Sequence, residues 1–489
     1  MSPTSLHTVR LLLLVGLACL ITACASTSQN STEVLARSAQ TMGATQLKTL
    51  RYVAEGTGYT FGQPFSPGGA WPMITVHSMI RTLDYDGAAM REEIVLSRAE
   101  PLGGGGYPLV GQQRNDQYIS GDLAWNQVAV AVVPGSRWVA DRTHQLWITP
   151  HGAIKAAMRN GATARRGAEG GSDVSFTEPG RFRATVAISA DGLVTQVSSV
   201  APDPVLGDTP TVTTYSEYRE VGGIRFPGRI RQTMGGFQVL DVTVKEVQPN
   251  VAAAIVVPEA ARNQGERVVA EKAADGVWFL AGGSHNSVLI EQKDHLVLVE
   301  APLGDARSQA VIDQAKQLVP GKPIRFMVNS HGHFDHSGGV RTAAAEGATI
   351  VVQAASVPFF ERALANPNRV RPDLLAKSGR KANVLGVGER FELGDASRPI
   401  ELHRLIAGPH SDSFLMVYLP RERLLIQADA FTPGAPGSAP PAVPNANHVS
   451  LVANIERLKL PVERILPLHG RIVPLAELYT AVGRPAPAR

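Results

Sequence analysis

The sequence predicts an α+β chain, in which a mostly antiparallel β domain precedes a domain of alternating strands and helices. Three observations predict it. The length, 489 residues, exceeds what one hydrophobic core usually serves. From about residue 47 to 250 the chain is a series of short β-type runs, such as TVTTYSEYRE, IRFPGRIRQTM and FQVLDVTVKEV, separated by VGG and GG. Alternation within the runs and tight glycine turns between them are the pattern of antiparallel hairpins. Near 265 the pattern changes. VWFLAGGSHNSVLIEQKDHLVLVEAP gives three strands in quick succession, and ARSQAVIDQAKQLV, IRFMVNS, GGVRTAAAEG and TIVVQ then alternate helix with strand. The boundary falls in the polar stretch ARNQGER, which gives a β-rich domain over 47–262 and a second domain over 265–489.

The first residues belong to neither domain. A basic residue in MSPTSLHTVR, the apolar run LLLLVGLACLITA and the small residues after it have the layout of a secretory signal, over 1–23. Ile21, Thr22, Ala23 and Cys24 resemble the bacterial lipobox, which implies a lipidated Cys24 as the mature N-terminus. Residues 24–46 then form a polar tether and a short helix, anchored to a membrane without spanning it. Ala25 stands where an aspartate typically retains such proteins in the inner membrane of enteric bacteria. The expected address is therefore the periplasmic face of the outer membrane. A formal charge of +4, with 18% charged residues scattered singly, excludes a nucleic-acid binder. The two cysteines are Cys19, in the signal, and Cys24, so a metal in the mature chain must be held by His, Asp and Glu.

Within the β-rich half, STEVLARSAQTMG reads as a capped helix starting at Ser31 or Thr32 and stopping at Gly43. TPHGAIKAAMRNG reads as a second, with Thr149 as cap, Pro150 at the first position and Gly161 as stop. His77, His144 and His151 are isolated and are read as structural, and Trp125, Trp138 and Trp147 as core. GGGGYP, 103–108, lacks the Lys and Ser/Thr of a phosphate loop and is a flexible turn. In outline this half resembles the curved antiparallel sheets of periplasmic lipoprotein-carrier proteins.

Chemistry concentrates in NSHGHFDHSGG, 329–339. IRFMV is a buried strand, so these residues sit where a strand emerges before a helix. In an extended segment residues two apart point the same way, so His331 and His333 can grip one ion. Asp335 and His336 follow the turn and can face a second. Gly338 and Gly339 remove side-chain bulk where the backbone must approach closely. Four ligands cannot complete two shells, and further donors appear at later strand ends: His410 in a Gly-Pro loop, Asp429 after RLLIQA, and His469 after RILPL.

HxHxDH followed by these three donors resembles the metallo-β-lactamase superfamily, over about 265–489. The resemblance implies a C-terminal αββα sandwich with two Zn²⁺ at one edge. His331, His333 and His410 would hold the first ion, Asp335, His336 and His469 the second, and Asp429 both. Zinc suits imidazole and carboxylate donors without thiolate. The implied chemistry is hydrolysis of a small-molecule substrate by a metal-bridging hydroxide, with Asp335 orienting the nucleophile and passing a proton to the leaving group.

Three departures narrow the reading. Di-zinc β-lactamases generally carry Cys or Ser where this chain has Asp429. Quorum-signal lactonases commonly place a tyrosine where it has Thr432. The family's usual aspartate in a context like LIDTG is replaced by Glu300, which would brace the metal loop through its ligands. The expected bond is an ester, lactone, thioester or related bond. A β-lactamase and a non-catalytic metal-binding envelope lipoprotein are the alternatives. His285, His295, His403 and His448 lie outside the pattern. The loop FTPGAPGSAPPAVPNAN, 431–447, starts beside Asp429 and is expected to select substrate.

Overall fold

The computed structural model describes residues 28–99, 111–263, 265–396 and 398–486. The signal, Cys24 and the GGGGYP turn lie outside the described residues. Among those described, no helix is long and apolar enough to cross a membrane.

The β-rich part is one 14-stranded sheet with Ser28–Gln29 at one edge and Ala131–Pro134 at the other. Its neighbours are nearly all hairpin partners. Gly235 and Gly236 turn one of these hairpins, and Gly222 and Gly223 turn a separate two-stranded one, with φ of +58°, +88°, +56° and +80°. Two successive positive φ values are what a two-residue hairpin turn demands and glycine supplies cheaply. Three pairings are exceptions: Ser28–Gln29 with Thr163–Arg166, Gly207–Ser216 with Arg229–Met234, and Thr49–Tyr59 with Phe237–Pro249, the last joining the ends of the domain's sequence at the middle of the sheet.

Three helices pack against this sheet. Ser31–Met42 is capped by Asn30, whose side chain accepts from the N–H groups of Thr32 and Glu33, and it stops at a left-handed Gly43. Pro150–Arg159 follows its Thr149 cap. Val139–Trp147 has no counterpart in the sequence reading, because Arg142 and His144 interrupt its apolar face. Both are buried and anchored: Arg142 donates to the carbonyls of Tyr118 and Trp125, and His144 Nε2 pairs with Ser199 Oγ at 2.8 Å, its Nδ1 having no hydrogen-bond partner. His151 donates to the Met42 carbonyl at 3.0 Å, so the two buried histidines here hold structure. Trp125 and Trp147 are core residues.

The C-terminal part contains a seven-stranded and a six-stranded sheet. Alternation along the first sheet shows how they stack. Val277, Phe279, Val288, Ile290, Val297 and Val299 face the second sheet and share a core with Leu402, Phe414 and Ile465. Leu280, Leu289, Leu296 and Leu298 point the other way, onto Val311, Ile312, Val340 and Phe360 of the flanking helices. Ala446–Leu458 and Leu475–Ala481 cover the second sheet through Leu451, Ile455 and Leu478. Period-two alternation with both faces apolar forces a covered sheet, and the result is helix, sheet, sheet, helix.

Among the described residues, hydrogen bonds join the two parts at two places. Asp208, near the start of the strand Gly207–Ser216, accepts from the N–H groups of Arg369 and Val370 at 3.1 Å and donates its own N–H to the Pro367 carbonyl. The second contact is made by residues 60–72, the connection between Thr49–Tyr59 and Met73–Asp84.

Candidate metal centre

Strand direction brings the donors together. Ile324–Val328 runs parallel to Leu296–Val299, so Glu300 and the 329–336 segment leave the sheet at the same edge. In the second sheet Leu424–Gln427 and Arg464–Pro467 are also parallel, which sets Asp429 and His469 side by side. His410 comes from the loop between Glu401–Leu405 and Phe414–Leu419.

Two groups of donors result. His331, His333, His410 and Asp429 each offer one ligand atom, all within 4.8 Å of one another, and so do His285, Asp335, His336 and His469. Asp429 faces both. Its Oδ2 lies 2.8 Å from His410 Nε2 and 3.7 Å from His331 Nε2, and its Oδ1 lies 2.8 Å from His469 Nε2 and 3.1 Å from His336 Nε2. All seven residues singled out as ligands therefore meet, and His285 joins them as an eighth.

The donor geometry fits metal ions better than hydrogen bonds. His331 Nε2 and His410 Nε2 are 3.2 Å apart, as are His336 Nε2 and His469 Nε2. Two lone pairs sharing a tetrahedral ion at Zn–N of about 2.0–2.1 Å would sit about 3.3 Å apart. His333 Nδ1 is buried without a hydrogen-bond partner, which is costly unless something else satisfies it.

For His331, His333, His336 and His469 the opposite nitrogen is fixed by an outer partner, which sets which lone pair faces inward; His410 Nδ1 has none. His331 Nδ1 pairs with Ser330 Oγ at 3.0 Å, and His469 Nδ1 donates to the Ser284 carbonyl at 2.8 Å. His336 Nδ1 donates to Glu300 Oε2 at 2.9 Å. Glu300 is fully buried and also accepts from Asn329 Nδ2, Ser330 N–H and Ser330 Oγ. It is thus the brace of the whole metal loop. His333 Nε2 donates to the Pro64 carbonyl at 3.1 Å, and Asp335 Oδ1 accepts from Gln63 Nε2 at 2.7 Å, both from the β-rich part. His285 Nε2 lies 3.1 Å from Asp335 Oδ2.

The electrostatics are those of a centre that awaits positive charge. Burial resists ionisation of Asp429 and Asp335, yet the neighbouring imidazoles hold both carboxyls well below the usual carboxylate range. Burial likewise disfavours charge on His336, but Asp429 and Asp335 outweigh it and hold its pKa well above the ordinary histidine value. Burial dominates at His285 and His333, pushed down to about 4 and about 3.

The ligands are not equally covered. The Asp335 side chain is 34% exposed, that of His469 21% and that of Asp429 16%, while those of His331 and His336 are fully buried. The open face therefore lies over Asp335 and His469. A separate cavity of about 410 Å³, lined by Ala407, Pro409, Val449, Ala453 and Arg457, lies behind the His410 loop rather than over the ligands.

A helix-flanked double sheet whose edge gathers two sets of His and Asp donors defines a metal-binding αββα domain. Residues 280–469 match the family described as the Metallo-beta-lactamase superfamily, and the C-terminal domain carries that fold. Among solved structures, the chain is similar to a metallo-beta-lactamase from Pontibacter korlensis, at 16% identity and a TM-score of 0.33, covering 44% of this chain and 98% of that one. It is also similar to the metallo-beta-lactamase FIM-1 from Pseudomonas aeruginosa in the mono-zinc form, at 20% identity and a TM-score of 0.34, covering 46% of this chain and 96% of that one. No curated protein matches the chain.

His285 and the 60–72 connection are the parts of the centre that sequence reasoning passed over. His448 packs edge-on against Phe431, with ring centroids 4.9 Å apart, and is half-buried rather than a surface residue.

Proposed function

We propose that this protein is a di-zinc hydrolase that opens an ester, lactone, thioester or related bond in a small-molecule substrate, held by a lipid on Cys24 at the periplasmic face of the outer membrane. The observation that carries the catalytic part is Asp429, which offers one carboxylate oxygen to each donor group and so ties two ion sites into one centre. Ions held there supply Lewis acidity and a water acidic enough to ionise near neutral pH.

The chain's own residues do the rest. His331, His333 and His410 hold one site, and Asp335, His336 and His469 the other. Asp335 is the most exposed of the carboxylates, so it faces incoming substrate, orients the nucleophile and hands a proton to the leaving group. Gln63 on one carboxylate oxygen and His285 beside the other keep it in that orientation. No serine or cysteine nucleophile is required. The 431–447 loop, exposed along most of its length and attached directly after Asp429, selects the substrate. Asp429 also favours this reading over a β-lactamase, because the carboxylate stands where those enzymes generally carry Cys or Ser. A purely structural zinc needs four closed ligands. Eight donors in two groups with an open face support catalysis instead.

The test combines metal content with turnover of a chromogenic panel of lactams, lactones, thioesters, phosphodiesters and sulfate esters. About two zinc ions per chain and hydrolysis abolished by Asp335→Ala are expected. Less than one tightly bound ion, with no turnover sensitive to Asp335→Ala, contradicts the proposal. For the anchor, membrane fractionation of wild type and Cys24→Ser decides: release of the variant to the soluble fraction is expected, and identical fractionation excludes lipidation at Cys24.

A further inference from the structure

We propose that the β-rich domain completes the metal centre, its 60–72 connection acting as an outer brace on His333 and Asp335; this rests on the metal-centre reading above. A connection between paired antiparallel strands normally takes two to five residues. Here Tyr59 and Met73 are paired, and Thr60 N–H donates to the Pro72 carbonyl, so the neck is closed and 60–72 projects as a separate loop. At its base Trp71 packs on Phe237 of the sheet, with ring centroids 4.9 Å apart, and the rest reaches the other domain.

Its tip makes hydrogen bonds to ligand-bearing segments. The Gly62 carbonyl accepts from Phe334 N–H at 3.0 Å, and the Phe65 carbonyl accepts from Asp412 N–H at 3.1 Å. Ser66 Oγ donates to Asp412 Oδ2 at 2.5 Å, two residues beyond His410. Phe334, between two ligands, packs edge-on to Phe61 at 5.4 Å and to Trp71 at 6.4 Å. The brace is thus riveted by aromatic contact and hydrogen bonds at once.

Two of its contacts bear on ligand chemistry. A neutral imidazole carries one N–H, and its position decides which lone pair is free. The Pro64 carbonyl can only accept, so it fixes the His333 proton on Nε2 and leaves Nδ1, buried and without a hydrogen-bond partner, to face the ion. Gln63 Nε2 holds Asp335 Oδ1, which settles how that carboxylate presents its other oxygen. Gln63 is accordingly a positioning residue, 272 positions away in sequence from the ligand it positions.

Gly62 shows how closely the loop is fitted. Its φ is +72°, and a Cβ there would stand 2.4 Å from Phe334 Cγ. Gly62→Ala must therefore lift the loop off the centre, whereas Gln63→Ala removes one donor from a half-exposed position.

The experiment uses the full chain. Zinc release to a chromogenic chelator is timed, and the visible spectrum of the cobalt-substituted protein is recorded, for wild type, Gly62→Ala and Gln63→Ala. Both variants are expected to release zinc about 10- to 100-fold faster, the scale of a lost outer partner, with a shifted cobalt spectrum and an unchanged far-ultraviolet circular dichroism signal. Gln63→Ala decides alone if Gly62→Ala fails to fold. Release rates and cobalt spectra equal to wild type would overturn the inference while leaving the hydrolase reading intact. A wild-type chain that binds no metal would instead defeat that reading.

Discussion

Glu300 and His285 carry the most information residue by residue. Glu300 sits in the left-handed region at φ +71°, rare for a side-chain-bearing residue, and receives four donors in full burial. Glu300→Gln keeps the volume but turns a donor toward donors. We expect about 3 kcal/mol of lost stability, the scale of breaking a buried pair, and metal binding weakened about 10- to 100-fold. Denaturant unfolding and bound-metal analysis measure the two, and wild-type values in both would exclude the brace. His285 adds a fourth donor to the Asp335, His336 and His469 group. His285→Ala is predicted to weaken one of two zinc-binding steps about tenfold in calorimetric titration and to leave the other unchanged; two unchanged steps would show that His285 takes no part. The reason it escaped notice is positional. His285 lies in the short loop between Val277–Ala281 and Ser287–Glu291, 46 positions ahead of His331, so no local spacing ties it to the other donors. Ser287–Glu291 runs antiparallel to Leu296–Val299, so its start lies at the edge where the other strands end.

Among the elements, the link between the helices Phe334–Ser337 and Val340–Ala345 depends on its glycines. A Cβ on Gly338 would stand 2.4 Å from the Leu303 carbonyl carbon, and one on Gly339 only 1.8 Å from Ser308 Oγ. Gly338→Ala meets backbone, which cannot swing aside, so a loss of about 1–3 kcal/mol is expected from overpacking, with lowered zinc content because His336 moves; unfolding midpoints and metal analysis report both. The helices of the β-rich domain predict a pH dependence. Burial pushes His144 and His151 down to about 4, from an ordinary value near 6.5. A folded-state pKa below the unfolded one means that the unfolded chain binds more protons between those values. Stability is therefore full above about pH 6.5 and falls toward pH 4, by about 3 kcal/mol for each histidine. Urea unfolding of this domain at pH 7.5 and pH 5, repeated with His144→Gln and His151→Gln, measures it. A pH dependence as steep in the double variant as in wild type would contradict the assignment.

At the scale of the whole molecule, the two halves were unequally legible. The C-terminal half could be read because each ligand has the same local context, a buried apolar strand followed by a donor and a loop, and because the order His331, His333, Asp335, His336, His410, Asp429, His469 is itself a pattern. The β-rich half showed its hairpins through glycine pairs such as Gly235–Gly236. It did not show that Thr49–Tyr59 would pair with Phe237–Pro249, since no local signal encodes contact over that separation. FGQPFSPGGA likewise reads as a turn-rich link, and only the folded arrangement reveals that Gln63 and Pro64 reach another domain's ligands. The central claim is that Asp429 ties two ions into one centre. Anomalous diffraction at the zinc edge from crystals of the zinc-loaded full chain tests it most directly. The account predicts two peaks about 3.5–4 Å apart, one beside each Asp429 oxygen. A single peak, or peaks that Asp429 does not contact, would contradict it.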